Sequence, residues 1–249
     1  MDEAEDLECL YVIPMELHYG AEEFDFPSFL RWREWVRGEP RARVILIGDV
    51  LEFATRDSVG DVYGQPIPPE EQMLQVCEVL DPIRERIWAI TEGNHEGRAA
   101  YAVGIHPGRW VAFNLGIPYF PGRQGVLKVR LGRGENGKPV AYIIAFAHGS
   151  SSARTPGGKL AAAWRFTDVV WNADVYITGH SHGHIVDRGA RFVVDPHNNL
   201  VREEKFYIVM AGSFLGYAGY ARERAWAPLG VGCPRIRLDG RRKDVHVSI

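Results

Sequence analysis

Cysteine is scarce in this chain. Cys9, Cys77 and Cys233 are odd in number and far apart within 249 residues. That excludes a disulfide-stapled scaffold and points to free thiols in a reducing compartment. Lysine is scarce too, at five of the 29 basic residues, and the formal net charge is −3. Without a cationic excess there is no overall field to hold nucleic acid or an anionic membrane. No apolar run approaches the ~20 residues that cross a bilayer. The acidic start MDEAEDLE is the wrong chemistry for a secretory signal. These absences predict a cytoplasmic protein without membrane contact. Repeats, low-complexity segments and linkers are missing as well, so residues 1–249 are expected to fold as a single domain.

What the chain does have is a series of short apolar runs, each ending in a loop: LYVIPMELHYG, RVILIGDV, RIWAITEGNHE, VAYIIAFAHGS, DVYITGHSHG and KFYIVMAGSF. Several are continuous rather than alternating, as strands covered on both faces are. Helical spacing lies between them. Met73, Val76, Cys77, Leu80, Ile83 and Ile87 predict a helix over 69–87, and Phe26, Phe29, Leu30 and Trp35 another over 26–36. GGKLAAAWRFTDVVW suggests a third. Strands alternating with helices mean an α/β fold. Hairpin turns are expected at GRGENGKP and at Asp239-Gly240.

Residues 177–184, ITGHSHGH, hold three of the nine histidines at every second position. On an extended backbone alternate side chains point the same way, so His180, His182 and His184 are candidates to face one point. The other runs also end in ligand chemistry. The first delivers Glu16 and His18, the second Asp49, the third Asn94 and His95, the fourth His148. In α/β sheets the carboxyl ends of strands converge on one crevice, where ligands bind.

A histidine-heavy set with few carboxylates suits manganese, iron, zinc, cobalt or nickel better than magnesium or calcium. It is too large for one tetrahedral site and fits two ions that share a bridge. A neutral imidazole offers a single lone pair, so only a carboxylate or a water can bridge. Glu16 and Asp49 are the two carboxylates, and Asp49 ends the most uniformly apolar run. Two divalent ions, two carboxylates and a bridging hydroxide leave one positive charge, which attracts a phosphoryl group, and the ions activate the attacking water.

These motifs resemble the calcineurin-like metallophosphoesterase superfamily. The likeness spans Glu16 to His182 and lies in ELHYG (16–20), GDVLE (48–52), GNHE (93–96), AHG (147–149) and GHSH (179–182), in that order. It implies a four-layer sandwich of two mixed β-sheets flanked by helices. It also implies that Glu16, His18, Asp49 and His182 hold one metal, and that Asp49, Asn94, His148 and His180 hold the other, with manganese the expected ion. By the same resemblance Asn94 and His95 meet the phosphate, and His95, which binds no metal, protonates the leaving oxygen. His184 matches no ligand position. The first motif usually begins with Asp, and Glu16 stands there instead, its carboxylate displaced by up to ~1.5 Å unless strand or rotamer compensates.

Substrate choice is less legible. GDVLEFA lacks the Asp-Arg-Gly of serine/threonine protein phosphatases, and HGS lacks their second glycine. The chain is more similar to short microbial and phage-type phosphoesterases. Arg98, Arg123 and Arg154 are candidate phosphate contacts, and the Ser/Thr/Gly-rich loop 149–158 a candidate border of the site. The leading expectation is a two-metal phosphodiesterase acting on nucleic acid or a nucleotide-type diester. A phosphomonoesterase on small metabolites or nucleotides, and a non-catalytic binding protein on the same fold, are the alternatives.

Overall fold

The apolar runs become two mixed sheets because each strand carries one side-chain set for each of its faces. A computed structural model of the chain describes residues 7–56, 58, 65–217, 222, 225 and 227–249, so part of the acidic start lies outside the described residues. The first sheet holds β1 (Cys9–Glu16), β2 (Ala42–Ile47) and β3 (Ile87–Thr91). The second holds β4 (Gln124–Leu131), β5 (Val140–Ala147), β6 (Val175–Thr178), β7 (Val186–Asp195) and β8 (Leu200–Met210). The short β9 (Gly212–Ser213), then β10 (Arg235–Asp239) and β11 (Val245–Ser248), return to the first sheet. Strand order is β11-β10-β1-β2-β3, with β9 beside the end of β1, and β4-β5-β6-β8-β7. Strands β1, β2 and β3 run parallel, as do β5, β6 and β8.

Period-two alternation sorts the core into layers. Leu10, Val12, Ile45 and Ile47 face inward and meet Ile144, Phe146, Val175 and Ile177 of the other sheet. Ile13, Met15, Val44 and Leu46 face outward onto helices α1 (Phe26–Gly38), α2 (Pro69–Leu80) and α4 (Pro107–Leu115). The far face of the second sheet is covered by α5 (Pro156–Trp164), through Ala163 and Leu160. The result is the four-layer α/β sandwich. Ile45 and Ile47 are fully buried, and each such side chain contributes ~1.5–3 kcal/mol.

Helix boundaries follow local chemistry. The Asp25 carboxylate caps α1 by accepting from Ser28 N–H at 3.0 Å, a contact whose loss costs about 1 kcal/mol. The periodic stretch 69–87 does not stay α-helical. It stops at Leu80 and continues as a 3-10 turn over Asp81–Arg86, because Pro82 has no N–H to give and its ring crowds the preceding turn. Similarly α5 ends at Trp164 and tightens into a 3-10 turn over Arg165–Asp168. GRGENGKP joins β4 to β5 as expected. The tail hairpin is looser than an Asp-Gly turn: residues 240–244 form its loop, where the Asp239 carboxylate accepts from Arg241 N–H at 2.8 Å and Gly240 N–H goes to Glu8 O. No described helix is long and apolar enough to cross a membrane.

Candidate metal centre

Strands β1, β2, β5 and β6 end within a few residues of Glu16, Asp49, His148 and His180, and the last of the first-sheet trio, β3, leads into α3 (Asn94–Val103). All the metal-ligand candidates named above therefore meet at one edge of the sandwich. Three sets of donor atoms close enough to share an ion form there: Glu16, His18 and His182; His18, Asp49 and His95; Asp49, His148 and His180.

The half around His148 is set by main chain. His148 is fully buried, and its Nδ1–H points at Ile47 O (2.9 Å). Its Nε2 then faces Asn94 Oδ1 at 3.0 Å and Asp49 Oδ2 at 3.3 Å. His180 brings Nδ1 to the same Asn94 oxygen at 2.7 Å. Fixing one ring nitrogen on a carbonyl leaves the other free as a ligand, the usual device for metal-binding imidazoles.

The other half rests on carboxylates. His18 Nε2 lies 2.9 Å from His182 Nε2, and its Nδ1 lies 3.3 Å from Glu52 Oε2. Glu16 Oε1 accepts from His180 N–H and lies 3.1 Å from His148 Nδ1, while Oε2 is 3.1 Å from His182 Nε2 with no donor aligned on it. Room for the longer side chain comes from Gly179: a Cβ there would stand 2.1 Å from Glu16 Oε1. The extra methylene of Glu16 is thus taken up by the glycine of GHSH.

Asp49 lies between the halves. Its Oδ2 is 3.9 Å from His18 Nε2 as well as 3.3 Å from His148 Nε2, and Oδ1 accepts from His95 N–H at 2.9 Å. Gly93 must be glycine here too, since a Cβ would fall 2.0 Å from Asp49 Oδ1. Glu96, which sequence reasoning missed, holds the turn: buried, it accepts from the N–H groups of Asp49 (3.0 Å), Leu51 (2.9 Å) and Gly93 (2.8 Å). Its only signal was its place in GNHE.

The backbone at this edge is strained. His18, Asp49, His180 and His182 have φ of 55°, 47°, 64° and 48°, a left-handed region that non-glycine residues rarely adopt and that clusters at functional sites. This corrects the extended-strand reading of the histidine triplet. β6 ends at Thr178, and left-handed turns rather than alternation bring His180 and His182 together. His184 accordingly points elsewhere, to Gly232 O at 3.1 Å.

Charge and burial oppose one another throughout. Burial alone would raise the Glu16 carboxyl, but His148 and His182 outweigh it and bring it down to about 2. Asp49 lies well below the ordinary carboxylate range, burial again being overcome by His95 and His148. Glu52 falls to about 2 against burial, through His18 and His95. Conversely, burial would lower His148 and His95, yet Asp49 with Glu16 pushes the first to about 11, and Asp49 with Glu52 the second to about 9. His18 and His180 are lowered, mainly by burial. Buried carboxylates and imidazoles this closely packed, with Glu16 Oε2 left unsatisfied, fit divalent cations: an ion removes the need for the trapped protons and gives the orphaned oxygen a partner.

Around this centre His95 stacks edge-on against His18 at 4.7 Å and directs Nδ1 at Glu52 O (2.7 Å). Glu52 is the second residue that sequence reasoning missed; a carboxylate three residues past Asp49 was the available signal. Lys159, also missed, donates from Nζ to Ser181 O at 2.8 Å and so steadies the turn between His180 and His182. Arg98 comes within 3.5 Å of His95 Nδ1. The Arg123 guanidinium lies where a side chain at position 97 would be, and Arg123 O accepts from His148 N–H at 2.9 Å. Arg154 is exposed ahead of α5 and joins none of these contacts.

The calcineurin-like phosphoesterase family profile matches residues 17–184. Among curated proteins no sequence matches the chain. Similar solved structures include vacuolar protein sorting 29 from Cryptosporidium parvum, 15% identical at a TM-score of 0.45, covering 97% of this chain and 98% of that one. A predicted phosphoesterase from Streptococcus pneumoniae is 13% identical at 0.40, covering 97% and 90%. Vps29 from Entamoeba histolytica complexed with zinc is 12% identical at 0.42, covering 96% and 97%.

Proposed function

We propose, for a chain that belongs to the calcineurin-like phosphoesterase family and is a metal-dependent phosphoester hydrolase, that it is a two-metal phosphodiesterase acting on nucleic acid or nucleotide-type diesters. The observation that carries this reading is Asp49, a member of ligand groups on both sides of the centre. Glu16, His18, Asp49 and His182 would hold one ion, and Asp49, Asn94, His148 and His180 the other. Manganese is the preferred metal because imidazoles dominate the set without excluding oxygen donors, and zinc is the main competitor. Bound there, the ions supply Lewis-acid charge to the phosphoryl group and an activated water.

The chain's own residues do the rest. With no ion bound, Asp49 and Glu52 push His95 up to about 9 against its burial, which makes it the candidate proton donor. With Nδ1 engaged by Glu52 O, the proton to be donated sits on Nε2, which faces the centre 3.8 Å from Asp49 Oδ2. Delivered to the departing oxygen, that proton contributes ~10²–10⁴-fold. Arg98, beside His95, and Arg123, over Gly97, are cations outside the ligand set that would meet the charge of a phosphoester. The three cysteines are free, in keeping with a reducing, cytoplasmic setting, and the reading takes residues 1–249 as one functional domain.

The test is hydrolysis of bis- and mono-p-nitrophenyl phosphate by chelator-stripped protein with added manganese, extended to single- and double-stranded DNA. Faster hydrolysis of the diester supports the proposal. A clear monoester preference replaces it with a phosphomonoesterase, and no hydrolysis of any of these leaves a binding protein on this fold.

A further inference from the structure

Resting on the diester reading above, we infer that α3 is the binding face for the nucleoside arm of a single-stranded nucleic acid, with Tyr101 as the ring on which a base stacks. Positions 94, 97, 98 and 101 form one stripe of α3, because residues three, four and seven apart share a helix face. Asn94 begins the stripe at the metal centre. The Arg123 guanidinium occupies the space over Gly97, and Arg98 follows at the next position. Among the described residues neither guanidinium forms an ion pair with a carboxylate.

Tyr101 closes the stripe about 10 Å along the helix axis from Asn94, at 1.5 Å per residue. A nucleoside attached to the scissile phosphate spans that distance. The ring is 96% exposed, so it packs on nothing in the fold. A candidate metal site, then two guanidiniums (Arg98 donating to Glu52 O at 3.4 Å, Arg123 without a carboxylate partner among the described residues), then a bare aromatic ring is the order in which a strand presents its scissile phosphate, its backbone charge and its base. Positively charged grooves interleaved with aromatic rings bind single strands with little sequence preference. Since the chain's net charge is −3, this local pair of arginines must supply the attraction.

The experiment uses the full chain and two probes: fluorescein-labelled oligothymidylate, followed by anisotropy and by cleavage, and methyl p-nitrophenyl phosphate, which carries no base. Tyr101→Ala is expected to weaken oligothymidylate binding ~5- to ~150-fold, the loss of one base–aromatic stack. It should lower the ratio of oligonucleotide to small-ester kcat/KM by a comparable factor, while Tyr101→Trp holds both. Arg123→Gln should reduce the slope of log K against log salt by about 0.7, the share of one phosphate contact on a single strand. Equal oligonucleotide binding by wild type and Tyr101→Ala overturns the inference. So does a change in oligomeric state caused by Tyr101→Ala without a change in binding. Turnover of the small ester with no oligonucleotide binding also overturns it and leaves the phosphoesterase reading standing. Tyr101-dependent binding without turnover of either probe supports the inference and removes the diesterase reading.

Discussion

The two halves of the candidate metal centre are built on different supports. His148 leans on the carbonyl of Ile47 and hangs by its own N–H from Arg123 O, and it is fully buried. His18 leans instead on the Glu52 carboxylate, whose side chain is 18% exposed, and its neighbour His182 is 20% exposed. A main-chain carbonyl neither titrates nor changes rotamer; an accessible carboxylate does both. The half around His148 should therefore be the tight, rigid one, and the half around His18 the exchangeable one. Glu16 ties them, reaching His148 with one oxygen and His182 with the other.

The largest effect should come from removing what the halves share. Asp49→Asn is expected to drop hydrolysis to background and to lose metal from both halves, as elemental analysis of the purified variant would read. Retention of one full equivalent would show that Asp49 serves a single half. His95→Asn comes next. Turnover should fall ~10²–10⁴-fold with metal content near wild type, and more for poor leaving groups than for nitrophenol. Rates across leaving groups of differing pKa check this. Loss of a metal would make His95 a ligand, in line with its place beside His18 and Asp49, and equal losses across leaving groups would remove its acid role.

A smaller effect separates the supports by pH in the metal-stripped protein. Glu16 and Glu52, lowered from 4.5 to about 2, stabilise the fold above ~4.5, and that contribution is lost as pH falls toward 2. His148 and His95, raised from 6.5 to about 11 and about 9, stabilise below ~6.5, and theirs is lost as pH rises through 9 and then 11. His18 and His180, lowered mainly by burial, cost stability as pH falls below ~6.5, so melting temperature without metal should peak near pH ~6.5. Manganese should move the peak upward, because a ligating His148 must give up its proton. A flat profile from pH 5 to 10, with and without metal, would contradict the assigned pairings.

The convergence of the candidate ligands was legible in the sequence because each follows an apolar run whose continuous burial forces a strand, and strand ends converge. Asp49 after ARVILI, six buried residues, is the clearest case. The supports were not legible. Glu52 and Glu96 lie inside GDVLE and GNHE without a role assigned to either; only the folded turn aims one at His18 and His95 and the other at three backbone N–H groups. The geometry of GHSH was read as strand alternation, whereas left-handed φ values at His180 and His182 are set by the surrounding packing, which no local pattern encodes. The β7–β8 hairpin escaped for a related reason. Its distal part is exposed, with Phe192 and Val194 on one strand and a charged run over 202–205 on the other, so it lacks a buried face to impose a pattern.

Manganese titration of chelator-stripped protein, wild type beside Glu52→Gln, followed calorimetrically, tests the unequal halves most directly. The account predicts two equivalents bound in two resolved steps, with the weaker step alone weakened ~10- to 100-fold in Glu52→Gln, the usual cost of removing a partner behind a ligating histidine. A single equivalent, or an equal loss in both steps, would contradict it.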